Sequence, residues 1–183
     1  MKTPRLIMGI DPGTIESAFV VWDSVNHEIT EKQICPNEEV LDYLQYSSWV
    51  RFDLLAIEMI ESYGMAVGKE TFETVLWIGR FIEAARHRNL VYSTEFQLVH
   101  RKVIKLHHCG SIRAKDKNIR QALIDKYGKP GTKKAQGKTY GLKSHLWQAF
   151  AAATAVSENA EMKVPKGAVN ETDQTADDQD STD

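Results

Sequence analysis

The stretch RLIMGIDPGTIESAFVVWD, residues 5–23, sets the class of the fold. Leu6 to Ile10 is a short apolar run that ends on Asp11, and Asp11-Pro12-Gly13 is turn chemistry. Ser17 to Trp22 is a second apolar run, and a third strand is expected over His27 to Gln33, after the polar Asp23–Asn26 turn. Three strands joined by short turns make a meander. The first of them delivers an acidic side chain at its end.

Downstream, Val40, Leu41, Leu44 and Trp49 recur at roughly helical spacing within Glu38 to Trp49. Leu54 to Glu58 (LLAIE) is another apolar strand, and it too closes on an acid. A helix is expected over Lys69 to His87, with Phe72, Val75, Leu76, Gly79 and Ile82 as one stripe. A brief strand over Leu90 to Tyr92 follows, then helices over Gln97 to Lys105 and Lys115 to Tyr127, the latter stopped by Gly128. Residues 128–141 (GKPGTKKAQGKTYG) read as a basic, flexible loop, and the last helix as Leu142 to Val156. A strand meander followed by strand–helix alternation predicts an α/β sheet with helices on its faces. There is no internal repeat.

The 183 residues, 42% of them apolar and including four Trp, six Phe and six Tyr, are enough for one sizeable core. No run approaches the ~18 consecutive apolar residues of a membrane span, and the first apolar run is too short for a secretory signal. Cys35 and Cys109 are too few for a disulfide scaffold, belong to no CxxC, and are expected as reduced thiols. The formal net charge of −2 conceals an asymmetry. Residues 158–183 hold eight acids against two bases, and this tail is expected to be disordered. Residues 99–145 hold thirteen Lys or Arg against Asp116 and Asp125, the footprint of a phosphate-backbone binder.

If the strands that carry Asp11 and Glu58 are parallel neighbours, both carboxylates leave the same edge of the sheet, where open α/β sheets place their sites. Two such groups repel, and divalent metal relieves the cost; hard oxygen ligands suit magnesium or manganese rather than zinc. Two ions about 3.5–4 Å apart are a common device for phosphodiester cleavage. Asp11 before Pro12 also fits an ordinary turn. Glu58 at the end of a buried strand is harder to explain by packing, because an unpaired buried carboxylate is costly.

Four segments taken in order, GIDPGTIESAFVVWD, LLAIEMIESYG, HRKVIKLHHCGSIRAKDKNIRQALIDKYG and KSHLWQAFAAATAV, resemble RuvC-type Holliday-junction resolvases, especially the short bacteriophage forms. The resemblance spans roughly residues 5–157. It implies an RNase H-like fold, a mixed five-stranded sheet flanked by helices, with a nuclease domain over 1–157 and the tail over 158–183. It further implies a homodimer that cleaves branched DNA with two magnesium ions (manganese in their place being the other option), in the cytoplasm of a bacterial cell or a phage-infected host. Asp11 and Glu58 match the first two family carboxylates. The family's last helix opens with Asp-x-x-Asp, the first Asp being His in some members; here those positions are His145 and Gln148. A neutral imidazole can ligate a metal or carry a proton, whereas the Gln148 amide brings no charge. Glu61 is a substitute for that charge only if the chain turns back; otherwise it is surface-exposed.

Ala149, Ala152, Ala153 and Ala155 keep the last helix slim enough to approach the sheet closely. The DNA contacts expected are Lys69, Lys115, Lys117, Arg120, Lys133, Lys134, Lys138 and Lys143, with Tyr63 placed to stack on or wedge between bases. His107, His108 and Cys109 are expected to pack rather than bind zinc. Lys69 to His87 is the candidate dimer helix, with Trp77 and Phe81 extending its apolar surface. Two other readings stand beside the nuclease: a junction-binding protein with weak or no cleavage because of Gln148, and a phosphotransferase using GIDPGT as a phosphate turn. The second of these usually needs another such domain, and no further Asp-Gly phosphate loop occurs.

Overall fold

In the computed structural model, residues 5–46, 52–61, 66–87 and 95–158 are described. The meander is present as β1 (Leu6–Asp11), β2 (Glu16–Asp23) and β3 (Glu28–Pro36), each antiparallel to the next. Helix α1 (Asn37–Tyr46) leads to β4 (Leu54–Met59), which pairs parallel with β1. Helix α2 (Lys69–His87) leads to β5 (Glu95–His100), parallel to β4, so the sheet order is β3-β2-β1-β4-β5. Helices α3 (Arg101–Cys109), α4 (Asp116–Tyr127) and α5 (Leu146–Glu158) complete the described elements. This is the expected mixed five-stranded sheet with helices on both faces.

Strand periodicity sorts the side chains into two cores. Met8, Ile10, Leu55 and Ile57 face Val40 and Leu44 of α1 and Ile78 and Phe81 of α2. Ile7 and Ala56 face the other way, onto α5, with Ile104 of α3 and Ile119 and Leu123 of α4 beyond it. Successive strand residues alternate faces, so Asp11 and Glu58 both emerge on the α5 side.

Helix α5 is buried along almost its whole length, as its apolar composition requires. It approaches β1 closely at Gly9, where a Cβ would stand 2.1 Å from the Ala149 carbonyl oxygen and 2.9 Å from the Ala153 Cβ. The far end of α5 is tied down at Glu158, which accepts from His107 (3.1 Å), Lys126 and Tyr127. Partial burial alone would raise this carboxyl; the three partners outweigh it and hold it at about 2. His108 donates to the Ala151 carbonyl at 3.0 Å, so both histidines of α3 pack toward α5.

The structure corrects several boundaries. The helix expected over Gln97 to Lys105 is a strand as far as His100, because Glu95–His100 continue the parallel ladder beside Leu54–Met59. The strand expected over Leu90 to Tyr92 falls outside the described residues, as do Trp49 and residues 159–183 of the expected tail, whose first residue, Glu158, is instead the last of α5. Helix α5 starts at Leu146 rather than Leu142, because Ser144 takes a left-handed φ of 42° ahead of it. On α2 the buried face is Thr74, Ile78, Phe81, Ala84 and Ala85, while Phe72 (64% exposed) and Leu76 (65%) face outward. Phe81 therefore belongs to the core and not to an outer surface. The basic loop is hydrogen-bonded within itself: Gly131 bridges Gln136, and buried Thr139 donates to the Gly128 carbonyl at 2.9 Å. Among the described residues no helix is long and apolar enough to cross a membrane.

Replacing Gly9→Ala forces α5 off the sheet, at an expected cost of about 1–3 kcal/mol. Urea unfolding measures it, and wild-type stability would show that the close approach at Gly9 is not maintained in solution.

Candidate catalytic site

The parallel register pairs Ile10 with Ile57, and the next residues of the two strands are Asp11 and Glu58. Both line one cleft together with Pro12, Glu61 and Arg101. Asp11 also borders a second cleft, with Gly13, Glu16 and His145. The turn that carries Asp11 is fixed from below. Ser17 Oγ accepts from the Gly13 N–H at 3.1 Å and donates to Asn37 Oδ1 at 2.6 Å, and Asn37 Nδ2 donates to the Gly13 carbonyl at 3.0 Å. Asn37 is fully buried, so these bonds have no water to replace them.

His145 reaches the site as the residue just before α5, its carbonyl accepting the Ala149 N–H at 3.1 Å. Its Nδ1 donates to Asp11 Oδ2 at 2.8 Å, and its side chain is 64% exposed. The ring's Nε2 is the nitrogen left for another partner.

Glu58, its side chain 9% exposed, accepts from Arg101 Nη1 at 2.6 Å through Oε1, while its buried Oε2 has no hydrogen-bond partner. Burial pushes the Glu58 carboxyl up to about 7; Arg101 opposes that shift and the nearby charge of Asp11 adds to it. Burial likewise raises Asp11, with the His145 hydrogen bond and charge pulling back. The pair thus lies in a medium that resists two negative charges unless a cation is close.

Sequence reasoning missed two residues here. Arg101 was placed inside a helix, whereas it is the first residue after β5 and so lands at the same sheet edge as Glu58. Asp116, in the first turn of α4, takes the other side of the Arg101 guanidinium, and Gln148 Nε2 donates weakly to it at 3.4 Å. An acid near a helix N-terminus was the only available signal for Asp116. Glu61 is not at the surface as expected: its side chain is 10% exposed and paired with Lys102 at 2.7 Å. Lys102 and Arg101 follow the strand directly, which draws basic groups to this edge.

Asp11, Glu58 and His145 are therefore brought together, with Gln148 joined to them through Asp116. Among the described residues, no three His, Cys, Asp or Glu side chains converge as a ready-made ion cage. The donor set still fits a hard cation: Glu58 Oε2 and Gln148 Oε1 are buried oxygens without a hydrogen-bond partner. Of the expected DNA contacts, Lys69, Lys115, Lys117, Arg120, Lys133, Lys134, Lys138 and Lys143 are exposed. The Arg120 guanidinium lies 5.1 Å from the centre of the Trp147 ring. Tyr63 lies outside the described residues.

No protein-family model and no curated protein matches the chain. Solved structures do. A Thermus thermophilus RuvC structure aligns with a TM-score of 0.63 at 16% identity, covering 86% of this chain and 96% of that one. T. thermophilus RuvC in complex with a Holliday junction substrate aligns with a TM-score of 0.64 at 15% identity and the same coverage. The chain thus has the RuvC fold, of the RNase H-like type.

Replacing Asn37→Ala leaves the Gly13 carbonyl without its donor and the Ser17 hydroxyl without its acceptor. A loss of about 1–3 kcal/mol is expected in urea unfolding; an unchanged midpoint would mean that the Asp11 turn is held by other contacts.

Proposed function

We propose that this chain is a metal-dependent endonuclease that acts on four-way or other branched DNA junctions by phosphodiester hydrolysis. The observation that carries the reading is the convergence of half-buried Asp11 and buried Glu58 at adjacent parallel strand ends, with His145 on Asp11 and an unspent Glu58 oxygen. The fold is shared with a RuvC whose structure includes a Holliday junction.

Asp11 and Glu58 would hold the metal, with Gln148 as a weak oxygen donor; magnesium suits this set, and manganese is the alternative. Bound there, divalent ions supply charge neutralisation at the scissile phosphate and lower the pKa of water. The protein's own part is positional. Asp11 fixes the His145 ring by accepting from Nδ1, which leaves Nε2 to take or give a proton at the reacting phosphate. His145 is thus better suited to proton transfer than to ligation through Nδ1. The exposed lysines around α4 and the 128–141 loop neutralise phosphates without reading sequence, so affinity falls with salt.

Asp11→Asn should reduce nicking of a four-way junction by about a hundredfold or more while leaving the gel shift intact or tighter. Loss of binding as well would count against the assignment. Gln148, together with the occupation of Glu58 by Arg101, favours a second reading: a junction binder with weak or no cleavage. Under it, magnesium or manganese gives a gel shift without nicking, and Gln148→Asp raises the cleavage rate.

The protein would act as a homodimer, with two sites facing opposed strands. Exposed Phe72, Val75 and Leu76 on α2 form the apolar face that pairing would cover. Sedimentation should give a dimer for the wild type and a monomer for Phe72→Glu/Leu76→Glu; a monomeric wild type at micromolar concentration would remove this part of the reading.

A further inference from the structure

One charged chain runs from Glu58, in the cleft, outward to α4 and α5. Glu58 takes one terminal nitrogen of Arg101 and Asp116 takes the other, while Gln148 Nε2 reaches the second Asp116 oxygen at 3.4 Å. Asp116 and Glu58 thus share one guanidinium, which stands between the two carboxylates. Glu61 is excluded from this group, because Lys102 already neutralises it at 2.7 Å.

The two partners of Arg101 are not equivalent. The Asp116 side chain is 58% exposed and can exchange its partner for water cheaply. The Glu58 side chain is 9% exposed and cannot be left charged without a counter-ion. The buried Glu58 Oε2 has no hydrogen-bond partner, so the guanidinium uses only part of the capacity that this carboxylate offers. A divalent cation seated on both Glu58 and Asp116 would compete with the guanidinium that now joins them. Arg101 itself is 27% exposed, on a long side chain at the start of α3.

We propose that Asp116 is a third carboxylate for a divalent ion seated beside Glu58, filling from α4 the role that Gln148 leaves open on α5, and that Arg101 is the counter-ion this ion displaces. The inference rests on the metal-site reading above, and it adds two residues to that site from outside the strand-end pair. It also accounts for the position of Gln148, whose amide orients the substitute carboxylate.

The test is titration of Mn2+ alone into the full chain by calorimetry, with thermal melting in EDTA and in Mn2+ as a second readout. Asp116→Asn should weaken Mn2+ binding about tenfold, and Gln148→Asp in that background should restore it. Arg101→Gln should tighten Mn2+ and enlarge the rise in melting temperature that Mn2+ produces. Arg101→Lys, which keeps a charge but not the fork joining two carboxylates, should tighten it less and serves if Arg101→Gln does not fold. Wild-type Mn2+ affinity in Asp116→Asn, or weaker binding in either Arg101 variant, overturns the proposal. Asp11→Asn separates the levels: if it loses Mn2+ while Asp116→Asn keeps it, only this inference fails. If both keep it, the metal-site reading fails too.

Discussion

Two carboxyl groups held side by side and largely out of water at the ends of β1 and β4 are tolerable only with positive charge near them, and the site is arranged around that constraint. Burial raises both, Glu58 to about 7, so neither is a comfortable anion in isolation. The surroundings answer with His145 on Asp11 and Arg101 on Glu58. Neither pairing is demanded by the packing of the core, which is complete without them: Ile10 and Ile57 face the opposite side of the sheet, beneath α1 and α2. Charge placed where packing does not require it is what sets a functional edge apart from an ordinary strand terminus.

The approach of α5 converts that constraint into geometry. A helix buried along almost its whole length can lie against β1 only because Gly9 offers no side chain and Ala149 and Ala153 offer small ones. That contact seats the start of the helix at the sheet edge. Its far end is gripped by α3 and α4 through Glu158. A helix held at both ends presents the imidazole at a defined distance from Asp11, the condition that the proposed proton transfer sets.

Much of this was legible in the residues. The strands carrying Asp11 and Glu58 were readable because an acid interrupts each apolar run near its end, β4 running one residue further, to Met59, and α2 was placed at its observed ends. The C-terminal part of the site was less legible. Glu95–His100 is six residues long and carries Gln97 and His100, so its pattern does not separate strand from helix, and only pairing with β4 settles it. That one error concealed Arg101, which gains its role by following the strand. The stripe of Phe72, Val75 and Leu76 is correctly periodic yet faces outward; periodicity identifies a helix with more than one apolar face without saying which face the sheet takes. The role of Asp116 was hidden for a different reason: its partners come from α3 and α5, contacts that no spacing within α4 encodes.

The stretch before α5 also has a mechanical meaning. Thr139 and Leu142 are buried, anchoring the backbone between the lysine-bearing hairpin and the helix, and Lys143 stands two positions ahead of His145 with only Ser144 between them. A left-handed kink at Ser144 redirects the chain there. Under the proposed nuclease reading, handle and tool share one short lever: a polyanion resting on Lys143 would bear on the same few peptide units that aim the His145 imidazole, so grip and alignment would not be adjusted independently.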